Sequence, residues 1–157
     1  MADFPLTLLY DGGCPICRFE MDRLREQDSL QRLAFVDIAA IGFEPRDWCD
    51  GQATLDDMRR VIHAVRPDRE LLLGVDAVVA AYQAVGWGHW TWPARMPFLK
   101  PVADRGYAIF ARHRYRVSRW VMPWLAPFWA RRAARRMNAC ADGTCPLPPS
   151  HPRGGDA

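Results

Sequence analysis

From Pro5 to Tyr10 the chain is almost wholly apolar, a run with the length and content of a short buried strand. Asp11-Gly12-Gly13 then breaks the pattern with a tight turn, and the period changes. Cys17, Met21 and Leu24 fall at i, i+4 and i+7, with Glu20, Arg23 and Glu26 elsewhere, so an amphipathic helix follows. Pro15 suits its first position, where a missing N–H costs nothing, and the helix ends near Asp28. Leu33 to Ile38 has the apolar content of a second strand, and a crossover of this length between two strands predicts a parallel pair.

Residues 39–53, with Gly42, Pro45 and Gly51, read as loop with at most a turn of helix, and Thr54 caps a short helix running into Met58 and Arg59. Val61 to Val65 and Leu71 to Leu73 are two strands whose connection is too short for a parallel crossover, so they predict an antiparallel hairpin. A helix opens at Gly74-Val75-Asp76, with Asp76 as its N-cap and Val79, Tyr82 and Val85 among its apolar positions, and stops at Gly86. The element order is strand, helix, strand, helix, strand, strand, helix, which is an α/β arrangement with a mixed sheet.

Past Gly86 the pattern gives way to Trp87, Trp90 and Trp92 among glycine and proline, then to a helical stretch from Val102 to Val117 studded with arginine. Pro123 and Pro127 predict a break in the helix between Trp120 and Trp129, with helix resuming over Arg131 to Met137 and a disordered tail from Pro146. The expected organisation is a core over residues 1–86, an aromatic and arginine-rich helical extension over 87–137 packed on or beside it, and a cysteine-containing, proline-rich tail over 138–157. Charge follows the same division. Residues 1–99 carry ten arginines against fifteen acids, whereas residues 100–157 carry eleven basic residues against three aspartates, for a total of +3.

At 157 residues and half hydrophobic, the chain has material for one ordinary domain and an appendage. Its start has neither a basic n-region nor an apolar h-region, and no stretch approaches the roughly 20 apolar residues that span a bilayer. The expected compartment is therefore the cytoplasm, where five cysteines read as redox, metal-binding or buried thiols and not as a disulfide framework.

The chemistry concentrates at Cys14-Pro15-Ile16-Cys17. A thiol attacks a disulfide only as thiolate, and a free cysteine with a pKa of about 8.5 is mostly protonated at neutral pH. At a helix start, unpaired N–H groups and the helix dipole favour the anion. Cys14 is therefore the expected nucleophile. Cys17, one turn further in and expected to be the more buried, is the expected resolving thiol, with Arg18 adding positive potential. Asp11 either takes the Cys17 proton during resolution or simply bonds the turn. The competing reading makes Cys14 and Cys17 half of a zinc site completed by Cys140 and Cys145. A helical position for Cys17 favours redox chemistry over that knuckle, so no metal or other cofactor is expected.

With these motifs in place the chain resembles the DCC family of thiol-disulfide oxidoreductases. The resemblance rests on Tyr10-Asp11-Gly12-Gly13-Cys14-Pro15-Ile16-Cys17, Phe35-Val36-Asp37, Ile62-His63, Gly74-Val75-Asp76-Ala77 and the helix Tyr107 to Arg114 with its Ala-Arg-x-Arg, together spanning roughly residues 5–120. It implies a thioredoxin-like three-layer fold with a C-terminal helical extension, and protein-disulfide oxidoreductase activity with Cys14 and Cys17 as the redox pair. Its implied partners are a disulfide-containing protein or small thiol substrate and an unidentified reductant. The chain departs from thioredoxins in having no proline near Arg60-Val61-Ile62, where those proteins place a cis-proline facing the active site.

Other candidates read more simply. His63, where the resembled family also has histidine, is expected to be hydrogen-bonded structure on a half-exposed strand face, its alternative being a cation that tunes a thiolate. Cys49 reads as a semi-buried free thiol. Cys140 and Cys145 bracket Ala141-Asp142-Gly143-Thr144, a turn that lets them bridge as an auxiliary redox couple. The nine arginines between Arg105 and Arg136 read as a solvated helix face, so nucleic acid is not an expected partner; docking of a protein partner on this basic third is the other alternative.

Overall fold

The computed structural model describes residues 4–141. It divides into two compact units, one through Arg119 and one from Trp120 onward.

The first unit is built on a four-stranded sheet in the order β2-β1-β3-β4. Strand β1 (Leu6–Tyr10) runs parallel to β2 (Leu33–Asp37) and antiparallel to β3 (His63–Val65), which pairs antiparallel with β4 (Leu71–Leu73). The expected parallel pair and hairpin are both present, in a mixed α/β sheet consistent with a thioredoxin-like fold. Helix α1 (Pro15–Gln27) makes the crossover. Its end is held by Asp28, whose carboxylate accepts the N–H groups of Arg32 and Leu33 at 2.8 Å and so aims the chain into β2.

Alternation along β1 makes three layers, because successive side chains of a strand point to opposite faces. Leu6 and Leu8 face Met21 and Leu24 of α1 and the alanine stripe Ala77, Ala81 and Ala84 of helix α4 (Gly74–Ala84). Leu9 and Val65 face Ile38, Cys49, Ala53 and Met58 on the other side, where the short helices α2 (Arg46–Cys49) and α3 (Leu55–Arg60) lie. Ala64, fully buried beside Leu8, leaves room for α4 to approach the sheet closely. Thr54 caps α3 in a reciprocal capping box with Asp57. Helix α4 begins one turn earlier than its acidic residue suggested: Leu73 is the N-cap, and Asp76, inside the first turn, pairs with Lys100 at 2.9 Å. Strand β3 is also shorter than expected, starting at His63.

After Gly86 come a short helix α5 (Gly88–Thr91), a 3-10 turn (Trp92–Arg95) and helix α6 (Lys100–Ala141). The expected break at the prolines does not occur, since Pro123 and Pro127 both lie inside α6. A proline removes one N–H bond and crowds the carbonyl four residues earlier. Spaced four apart, these two share a turn: the bond lost at Pro127 would have ended on Pro123. Arg119, the other affected carbonyl, is where the first unit ends.

Candidate active site

Strand β1 and helix α1 meet at Asp11-Gly12-Gly13-Cys14, a turn closed by the Cys14 N–H donating to the Asp11 carbonyl at 3.1 Å. Cys14 is the N-cap of α1, in extended backbone, and Pro15 takes the first helical position as the sequence predicts. The Gly12 N–H donates to Asp37 Oδ1 at 2.8 Å, and a Cβ on Gly12 would overlap that carboxylate. Glycine here lets the end of β2 tie down the turn that carries the cysteine.

The two sulfurs differ in protonation. The Cys14 sulfur accepts hydrogen bonds from the Cys17 thiol and from the Cys17 backbone N–H, and with the Arg114 cation these lower it to about 7, against the burial that opposes the anion. Cys17 is pushed strongly upward because its proton is held by Cys14 and because it is desolvated. The two sulfurs share a proton through this bond, and Cys14 is the one that ionises first. The order of burial is the reverse of the expected one: Cys14 is 0 % exposed and Cys17 is half-buried. A reading of the local motif leaves out α6, which arrives from about a hundred residues away to stand beside Cys14.

From α6, Arg114 Nη2 and Tyr115 Oη both donate to Asp11 Oδ2 at 2.5 Å, while Asp11 Oδ1 accepts the Gly13 N–H at 2.9 Å. The Asp11 and Arg114 side chains are each 8 % exposed, so this is a buried ion pair whose anion has three donors. Two turns toward the start of the helix, Tyr107 accepts the Ile62 N–H on its hydroxyl at 3.1 Å, its ring 3.4 Å from where a Cβ on Gly74 would lie. That is an ordinary contact distance, so glycine is needed at position 74 for its backbone, whose φ of +54° lies in the left-handed region, and not to clear the ring. Burial raises the Tyr107 hydroxyl, and both active-site sulfurs add to the rise, which places this side chain near them.

The Tyr107 to Arg114 motif pointed to a family and not to a place in the site, and Tyr115 stood in no motif. A signal was present: Tyr107, Ala111, Arg114 and Ser118 recur at helical spacing on one stripe of α6, and all are buried or half-buried. Arg114 is the charged member of that stripe, and a charge on a buried stripe needs a partner.

His63 is buried, not half-exposed, and its Nδ1 bonds the Val61 carbonyl at 2.9 Å. Desolvation lowers its pKa, so it is held neutral, as structure. A base with a depressed folded pKa contributes stability that is complete above its unfolded value and lost as pH falls below it. The melting temperature should therefore drop as pH is lowered from about 6.5, and His63→Gln should remove that part of the slope; a parent whose stability is flat across this window would contradict the assignment. Cys49 is fully buried, its thiol donating to the Pro45 carbonyl at 3.0 Å.

Among the described residues no group of three or more histidine, cysteine and carboxylate side chains could hold a metal ion. Cys145 and the tail from Pro146 lie outside the described residues, and so does the side chain of Cys140, so the auxiliary couple and the second half of the competing zinc site do too. No described helix is long and apolar enough to cross a membrane.

Residues 8–120 match the family model described as DCC1-like thiol-disulfide oxidoreductase. The chain is also similar to an uncharacterized chloroplastic protein of Arabidopsis thaliana, 29% identical over 120 residues that span 74% of this chain and 54% of that protein. No solved structure matches it significantly.

Proposed function

This chain belongs to the DCC1-like thiol-disulfide oxidoreductase family, and on that premise we propose that it exchanges disulfides through Cys14 as attacking thiolate and Cys17 as resolving thiol. The observation that carries the reading is the asymmetry of the pair, with Cys14 lowered to about 7 at the start of α1 and Cys17 raised by the proton it donates. A nucleophile that is substantially ionised near neutral pH, beside a thiol that keeps its proton until needed, suits a two-step exchange.

In the first step the Cys14 thiolate attacks one sulfur of the substrate disulfide, the S–S bond breaks, and the other sulfur leaves as thiolate. In the second, Cys17 loses its proton and attacks Cys14, forming the Cys14–Cys17 disulfide and releasing the second substrate thiolate. Two electrons pass from the pair to the substrate, and a separate thiol reductant returns them. Asp11 is the carboxylate proposed to receive the Cys17 proton; it does so while also anchoring Arg114. The substrate is a disulfide-containing protein or a low-mass disulfide, and the reaction is placed in the reducing cytoplasm.

Thiolate ultraviolet absorbance tests the assignment directly. The reduced protein should show a step near pH 7 that is missing from Cys14→Ser and present in Cys49→Ser. A first step only above about pH 8, or one that survives Cys14→Ser, would remove the basis of the proposal.

A further inference from the structure

Helix α6 occupies a main-chain group that a polypeptide substrate would need, and that occupation bears on substrate class. An extended peptide docks on a sheet through main-chain hydrogen bonds, so it requires unpaired backbone donors and acceptors next to the reacting sulfur. In this protein the approach to β3 offers none at Ile62. Its N–H donates to the Tyr107 hydroxyl at 3.1 Å and its carbonyl accepts the Gly74 N–H at 2.9 Å. The contrast with a proline at such a position is physical: proline has no N–H to satisfy, whereas isoleucine brings one, and here a side chain of the same protein takes it. Strand β3 itself is flanked on both sides by β1 and β4.

We propose that, granted the exchange chemistry above, the site acts on low-mass disulfides in preference to disulfides carried in extended polypeptide, and that Tyr107 is the residue that sets this preference by holding the Ile62 N–H. A small disulfide needs only a path to one sulfur. A peptide must in addition either forgo a main-chain bond at Ile62 or break the one made by Tyr107.

The test compares two mixed disulfides with the same leaving group: cysteinyl-thionitrobenzoate, and the same group on a cysteine in the middle of an extended peptide. In both, the Cys14 thiolate attacks the cysteine sulfur, thionitrobenzoate leaves as a coloured thiolate, and Cys17 then releases the cysteine or peptide. Reduced parent protein should react with the peptide about tenfold more slowly than with the small compound, the scale set by one net hydrogen bond. Tyr107→Phe, which frees the Ile62 N–H, should bring the two rates together chiefly by raising the peptide rate. A parent whose two rates are equal overturns the preference, and this measurement needs no variant to fold. A well-folded Tyr107→Phe protein with the parental ratio overturns the role of Tyr107. Failure of the exchange chemistry itself looks different: neither compound reacts with the parent, or both react equally well with Cys14→Ser, and this proposal falls with it.

Discussion

Cys14→Ser is expected to lower the rate of disulfide exchange by about a thousandfold or more, because the attacking sulfur is gone and the turn holds no other thiolate to take its place. Cys17→Ser is expected to behave differently. Attack through Cys14 remains possible while resolution is lost, so a mixed disulfide should accumulate on Cys14 and be visible by mass in non-reducing conditions. The same substitution removes the thiol hydrogen bond that is the largest cause of the lowered Cys14 value, although a serine hydroxyl donates in its stead. Variants that both turn over a model disulfide at the parental rate would show that the chemistry resides elsewhere in the chain.

Arg114→Met is expected to cost about 3–5 kcal/mol of unfolding free energy, the usual scale for stranding one partner of a buried pair. The Asp11 carboxylate would keep Tyr115 and Gly13 as donors but lose its counter-charge at 8 % exposure. Removing both charges in the double variant Asp11→Asn, Arg114→Met should cost less than the two single changes added together, because the coupled term is counted once. A second readout separates a structural role from an electrostatic one. Arg114 lowers Cys14 and Asp11 raises it, so the thiolate step should move up in Arg114→Met and down in Asp11→Asn. Shifts of the same sign in both variants, or no shift in either, would confine the pair to holding α6 in place.

Much of the first unit was legible from local pattern. Strand periodicity in Leu6–Tyr10 and Leu33–Asp37, the short link between β3 and β4, and the Pro15 start of α1 each depend on interactions within a few residues. So does the Thr54 capping box. The largest causes of the asymmetry between Cys14 and Cys17 are equally local, since they are the hydrogen bonds from the Cys17 thiol and N–H, with Arg114 adding to them from α6.

Burial is not local, and there the sequence misleads. His63 and Cys49 are buried because the sheet and the α2–α3 layer close over positions that carry no periodic signal of their own. Cys14 and Cys17 exchange their expected exposures, with a helix that begins at Lys100 standing beside Cys14. Proline rules also gave the wrong answer in α6, because a penalty fixed by one lost hydrogen bond does not decide whether the flanking turns continue.

What the sequence by itself determined is the local frame of the proposed chemistry: which two cysteines stand at a strand-to-helix turn, and why a helix start favours an anion there. What only the tertiary structure decided is the environment of that chemistry, namely that Arg114, Tyr115 and Tyr107 reach Asp11 and Ile62 across 103, 104 and 45 residues. The reason is physical. A helix propensity or a turn is set by neighbours in the chain, whereas a buried charge finds its partner only after packing has excluded water and left no cheaper place for it.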